Sequence, residues 1–387
     1  MSKPNHGPSS AASPQAASDL EGSSVAEAAR GRAWPRRMGR AARRGLRSGA
    51  LALAVIWASG ALLHCSLFPR PLAWLLAAVY LAAAGWVWGA RRRGRLGRHR
   101  AGGLWAGSLV LVFLLLQLIV PSNQRNWVDG QQRLPWVQRD QQRMTLHAVR
   151  HCEYRTADDY TVRYDGLQFD RRQLESVWLV VHYFSAFEGL AHTFVSFGYR
   201  DDDRQQRYFS ISAEVRREVG ESFSPVQGMY RRFELMLVVG DERDLIGSRT
   251  ILRPSDRVYL YRIAASAEQV QVLFDRFAQR MDQLRRRPEF YHTLTNNCTN
   301  TIVRQTYSLT PDRINWLDPR IVMPGYSPRL AFQLGLIAKT REGESFEGLQ
   351  RRARIDPLAR ELGFGRDFSR QIRRNWQSHD AAGGVGR

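Results

Sequence analysis

The alternation of apolar and polar positions divides the chain into regions of different kinds. Residues 1–29 are rich in Ser, Ala and Pro, carry no apolar period, and read as a disordered tail. Three apolar segments follow, Gly49–Phe68, Leu72–Ala90 and Gly103–Val120. Each approaches the roughly 20 residues a helix needs to cross a bilayer. A short turn around Pro69 and Pro71 joins the first two, which suits a helical hairpin. Residues 121–150 are polar, dominated by Gln and Arg, and read as a stalk. Packed structure is expected from about Cys152 onward.

Beyond that point the pattern is that of a mixed domain. Leu167–Leu174 is turn-rich. Glu175–Phe184 is an apolar run of strand length, and Ala191–Tyr199 alternates. That alternation sets His192, Phe194, Ser196 and Gly198 on one face, opposite Thr193, Val195, Phe197 and Tyr199. Arg207–Arg216 pairs with it as a hairpin, with Tyr208, Ser210, Ser212 and Glu214 on its polar face. Phe233–Val239 and Asp256–Ile263 are further strands. Ser266–Gln269 is a capping box, and Val270, Leu273, Phe274, Phe277, Met281 and Leu284 trace one face of the helix it opens. A helix from Thr299 to about Tyr307 and a short one over Arg329–Ile337 follow. No internal repeat is present. The fold class is α+β, with three N-terminal transmembrane helices ahead of a mostly antiparallel sheet.

Charge refines this organisation. Of the chain's 57 basic residues, 16 lie in residues 1–120 against 3 acidic ones, flanking the apolar segments. Eight arginines lie between Arg30 and Arg47, and six between Arg91 and Arg100. The positive-inside rule places both clusters in the cytoplasm, and three crossings place residues after 120 on the far side. The domains expected are a disordered basic cytoplasmic tail (1–48), three transmembrane helices (49–120), a stalk (121–150), a domain on the far side of the membrane (151–340) and an Arg-rich C-terminal extension (341–387). The lipid bilayer is the expected partner. The basic excess is topological, so no nucleic-acid partner is expected.

The candidate chemistry centres on Cys298, at the junction of the polar turn Tyr291–Asn297 and a helix. Unpaired N–H groups and the positive end of the helix dipole favour thiolate there. With His192 on a strand, the two make the halves of a papain-like thiol site. Cys152 offers an opposing reading, a disulfide to Cys298. A third group that orients the imidazole is sought on the polar face of 207–216, where Glu214 is the choice beside Ser210 and Ser212. An oxyanion calls for two donors. The Cys298 N–H is one, and the Asn297 side chain or the Tyr291 hydroxyl the other; helix capping is the alternative for Asn297. Arg216 and Arg217 read either as ion-pair partners or as a site for an anionic lipid headgroup, as does Asp241–Asp244.

Six segments stand in a recognisable order: Asp158–Tyr164, Val177–Val181, Ala191–Gly198, Ile211–Glu218, Gly240–Ile246 and Tyr291–Asn300. Over roughly residues 150–310 the chain resembles the bacterial family named for the N-terminal periplasmic domain of Lnb, a lipoprotein N-acyltransferase. The resemblance implies a permuted papain-like (NlpC/P60-like) domain, a periplasmic location and acyl transfer through a thioester. It implies Cys298 as nucleophile and His192, in preference to His182, as base. Phospholipid or lipoprotein substrates follow from the same resemblance. The expected function is a membrane-anchored cysteine acyltransferase or hydrolase. A cell-wall thiol peptidase or amidase and a non-catalytic membrane scaffold are the rivals. No cofactor is expected, since metal-ligand spacing, a phosphate loop and a dinucleotide fingerprint are all missing from the sequence.

Overall fold

The computed structural model describes residue 42 and residues 45–306, 314–315, 318–339 and 343–376. The expected tail, residues 1–48, lies almost wholly outside the described residues. Two units emerge, Met1–Leu63 with Arg70–Leu114, and His64–Pro69 with Leu115–Arg387.

The first unit is built from three helices long and apolar enough to cross a membrane: α1 (Gly45–His64), α2 (Arg70–Arg92) and α3 (Arg98–Gln117). Their buried positions are mostly small, among them Ala58, Ala61, Ala73, Ala77, Ala84 and Ala101. Small side chains let helix backbones approach closely in lipid, where no hydrophobic force drives association. Tyr80 on α2 meets Ser108 on α3 at 3.4 Å. Leu53, Ile56, Trp74, Val79, Trp86 and Phe113 point outward and are more than half exposed, which suits contact with acyl chains.

The second unit is an eight-stranded sheet. Its strands are β1 (Trp136–Asp140), β2 (Arg143–Tyr154), β3 (Tyr160–Asp170), β4 (Leu174–Tyr183), β5 (His192–Arg200), β6 (Gln206–Arg216), β7 (Glu234–Gly240) and β8 (Arg257–Arg262). The order is β1-β2-β7-β6-β5-β4-β8, with β3 also on β2. Every pairing is antiparallel except the contact of β2 with β7 at Arg150 and Gly240. Both faces are covered, so central strands such as β4 and β7 read as continuous apolar runs. One face packs on α5 (Ala267–Arg286), whose Val270, Phe274, Phe277 and Met281 meet Val195, Phe197 and Phe209. The capping box at Ser266 and Gln269 starts that helix as expected. A π turn (Arg243–Gly247) running into α4 (Ser248–Thr250) sits on the other face.

Three expectations need correction. The segment 121–150 is no stalk. It holds β1 and most of β2, and it buries Trp127, Met144 and Leu146. Its polar side chains satisfy backbone groups of the domain: Asn123 donates to the Leu284 carbonyl at 3.0 Å, and Gln131 to that of Val215 at 3.0 Å. The turn-rich segment Leu167–Leu174 is the end of β3 with one turn of 3₁₀ helix. The region from residue 341 is no appendage either. After α6 (Cys298–Thr306), α7 (Pro319–Val322) and α8 (Ser327–Gln333), the helices α9 (Phe346–Ala353), α10 (Asp356–Leu362) and α11 (Phe368–Gln371) join the second core. Leu349, Ala353, Ala359, Phe368 and Ile372 are buried there with Val180, Phe194 and Leu260. Arg spacing hid these short amphipathic helices, because the arginines occupy their outer faces.

Candidate active site

The site forms where β5 begins and α6 starts. His192 is the first residue of β5 and lies opposite His182 of β4 in the register. Ser212 and Glu214 lie on β6 two residues apart, so they share a face. The imidazole Nε2 of His192 meets the Ser212 hydroxyl at 2.7 Å and Glu214 Oε1 at 3.5 Å. Ser212 in turn donates to Glu214 Oε1 at 2.9 Å. Arg249 of α4 donates to the same oxygen at 2.6 Å and to the Leu245 carbonyl at 2.7 Å. Nε2 thus faces the hydroxyl and the carboxylate.

Cys298 opens α6 and is buried. Its turn is stapled from several sides. Asn297 Oδ1 accepts the Asn300 N–H at 2.9 Å, and its amide donates to the Thr293 carbonyl at 2.8 Å. Asn296 donates to the Phe290 carbonyl at 2.9 Å, and Asn300 to that of Leu294 at 3.0 Å. Thr299 on α6 meets Thr193 on β5 through hydroxyls 2.9 Å apart. These bonds hold the helix start against the strand. The sulfur meets the Thr299 hydroxyl at 4.0 Å, and it lies within reach of the charge on the His192 imidazole.

Electrostatics follow from this packing. Burial, the largest single influence, pushes the Cys298 thiol up. The His192 charge and the polar groups of His192 and Thr193 outweigh it and draw the thiol down to about 7. Burial also disfavours the imidazolium, yet the facing sulfur and Glu214 raise His192 to about 9. The half-buried Glu214 is held well below the ordinary carboxylate range by the Arg249 charge and by His192. Cys152 provides the contrast. Burial and the nearby Asp244 push its thiol up to about 12. Cys65, Cys152 and Cys298 are all free thiols, so the disulfide alternative does not form.

The thiol opens onto a cavity of about 310 Å³ lined by His182, His192, Glu214, Tyr291 and Cys298 among others. Tyr291 and Asn297 both line the cavity with Cys298, and both ends of the Asn297 amide are engaged in the turn, its Oδ1 capping the helix. His182, the alternative base, is buried on β4 and bonded through Nε2 to Asp256 Oδ2 at 2.7 Å. Arg217 lines the cavity, but Arg216 does not. Arg216 is buried and donates to the carbonyls of Gln131 and Gln132 at 2.9 and 2.8 Å, with its guanidinium over Trp127. Its expected lipid contact is corrected to an internal one. In the run Asp241–Asp244, the buried Asp244 binds Arg150 and Tyr154, and the part-exposed Asp241 pairs with Arg243. Among the described residues, no group of three or more His, Cys, Asp or Glu is placed to hold a metal ion.

Sequence reasoning set Ser212 aside in favour of Glu214 and missed Thr193 and Arg249. Thr193 lies on the strand face opposite His192, and Arg249 stands on a three-residue helix with no pattern of its own. Next to Pro324, which lines the cavity, Gly325 approaches residue 188 closely. A Cβ there would collide with the Glu188 carbonyl oxygen. Gly325→Ala is expected to destabilise the domain by about 1–3 kcal/mol, read as a lower thermal midpoint; an unchanged midpoint would show that the loop is free to shift.

No curated protein and no solved structure compared with the chain gives a match. A family match and the three apolar helices together support a membrane protein carrying a periplasmic domain. Residues 160–322, which hold His192, Glu214 and Cys298, match the family of the Lnb N-terminal periplasmic domain.

Proposed function

We propose that the chain is a membrane-anchored cysteine acyltransferase or hydrolase, with its N-terminus in the cytoplasm and the sheet domain in the periplasm. The observation that carries this reading is that Cys298 and His192 line one cavity, with Ser212, Glu214 and Arg249 linked behind the imidazole. His192 takes the proton of the Cys298 thiol, and the sulfur attacks an ester or amide carbonyl carbon. The tetrahedral oxyanion is met by the Cys298 N–H at the helix start, with Tyr291 as the nearby hydroxyl. The imidazolium then gives its proton to the leaving alcohol or amine, and a thioester remains on Cys298. Water or an amine, deprotonated by His192, attacks that thioester and releases the thiol. Phe184, Phe223 and Val322 line the cavity and are exposed. Apolar groups at the mouth favour a lipid or lipoprotein acyl donor over cell-wall peptide.

The test is a search for the thioester. The full chain, isolated with its native lipids, is digested and its cysteine peptides weighed. The proposal expects an acyl mass on the Cys298 peptide that hydroxylamine removes. Cys298 found only as free thiol, with acyl donors supplied, would contradict it.

Glu214 acts through the imidazole, so its variant has a pH signature. The ion pair exists between the thiol value, about 7, and the imidazole value, about 9. The rate should therefore rise as pH passes about 7 and fall as it passes about 9. Glu214→Gln removes a charge that raises His192. The imidazole falls, the thiolate loses part of its partner's charge, and the thiol climbs toward its ordinary 9.0. The pH window should narrow from both sides, with activity at pH 7 falling about 10- to 100-fold. A purely structural role for Glu214 would lower the rate without moving either limb.

A further inference from the structure

The charges around the thiol cavity extend this reading to the kind of substrate it takes. Arg217, Arg249 and Arg253 all line the cavity, and among the described residues Glu214 is the only carboxylate that does. Arg249 and His192 already face Glu214. The guanidinium groups of Arg217 and Arg253 have no hydrogen-bond or ion-pair partner among the described residues. Elsewhere on the domain, exposed arginines commonly meet carboxylates, as Arg200 does Glu175 at 2.6 Å and Arg207 does Asp201 at 2.8 Å. Two unpaired cations beside a third repel one another, and a bound anion relieves that repulsion. A guanidinium presents a planar fork that matches phosphate or carboxylate oxygens.

We propose that the cavity takes a substrate bearing a phosphate or carboxylate close to its scissile carbonyl, and that Arg217 and Arg253 hold this anion. The inference rests on Cys298 being the nucleophile. The arginines act as a recognition pair: they place the carbonyl over the sulfur and leave the proton transfers to His192. The apolar side chains of Phe184, Phe223 and Val322 then receive the non-polar part of the same molecule. An anionic amphiphile fits this lining better than a neutral one.

Two small electrophiles test the pair without a known substrate. The full chain in a neutral detergent is treated at pH 7.5 with iodoacetate or iodoacetamide, and alkylation of Cys298 is followed by peptide mass. The proposal expects the iodoacetate-to-iodoacetamide rate ratio at Cys298 to exceed that of a free cysteine peptide by about tenfold. The ratio should fall several-fold in the double variant Arg217→Gln/Arg253→Gln, in which His192 still stands beside the sulfur. A wild-type ratio at or below the peptide's, or one unchanged in the double variant, overturns the proposal.

If neither reagent modifies Cys298, the nucleophile reading falls, and the anion site is judged by thermal unfolding alone. Inorganic phosphate, succinate and dihexanoylphosphatidylglycerol are the probes. A rise in midpoint for the wild type that the double variant lacks supports the site. A rise with the short-chain lipid alone identifies a lipid phosphodiester, and a rise with all three a free anion. No rise with any probe, or an equal rise in the double variant, overturns it.

Discussion

Cys298→Ala is expected to remove the acyl adduct and to lower turnover on the order of 10³-fold or more. The size of the effect follows from the arrangement. The sulfur is the atom that would form the covalent bond, and no other thiol is activated: Cys152 is pushed up to about 12. The substitution deletes one buried atom from a turn held by Asn296, Asn297 and Asn300, so the fold should persist and the thermal midpoint move little. His192→Ala should produce a loss of the same order. The double variant should be scarcely worse than either single one, because groups that act as a unit lose their effect together. Steady-state rates with a lipid or lipoprotein donor check all three. Losses that multiply in the double variant would mean that the two residues act separately.

The second large effect concerns the C-terminal helices. Arg373, buried just beyond α11, donates to both Glu242 oxygens at 2.8 and 2.6 Å and to Ser196 at 3.2 Å. Its guanidinium lies over Tyr208 and Trp178. Removing one member of a buried pair leaves the other charged and without its partner in a dry interior, at about 3–5 kcal/mol. Arg373→Met is expected to lower the domain's stability by that amount and to expose the segment from residue 343 to protease. The paired replacement Arg373→Met/Glu242→Leu should recover much of the loss, since apolar side chains of similar size need no counter-charge. Equilibrium unfolding by urea checks both variants. A loss below about 1 kcal/mol for the single variant would mean that water reaches the pair.

What the sequence disclosed depended on how each element meets its surroundings. β5, β6 and α5 have clear periods because one side of each packs on a continuous apolar layer, and the capping box marks where α5 begins. Cys298 stands out by its place at a helix start, whereas His192 is preferred to His182 mainly through the ordered motifs of the family resemblance, since a strand histidine alone does not distinguish a base from a core residue. Residues 121–150 were not legible, because their Gln and Asn side chains bind backbone carbonyls of distant strands, and only the folded chain reveals those partners. Arg216 looked like a surface cation for the same reason. Arg249 and Ser212 become visible only when α4 and β6 converge on Glu214, a meeting of residues 35 apart in the chain. The helices from residue 346 onward are short, and their arginine-rich outer faces masked the apolar residues that join the second core.

The central claim is that His192 makes the Cys298 sulfur reactive at neutral pH. The most direct measurement is the rate of Cys298 alkylation by iodoacetamide against pH, in the wild type and in His192→Ala. The account predicts an inflection near pH 7 in the wild type and one at or above pH 9 in the variant. A wild-type thiol that titrates at its ordinary value, with or without the imidazole, would contradict it.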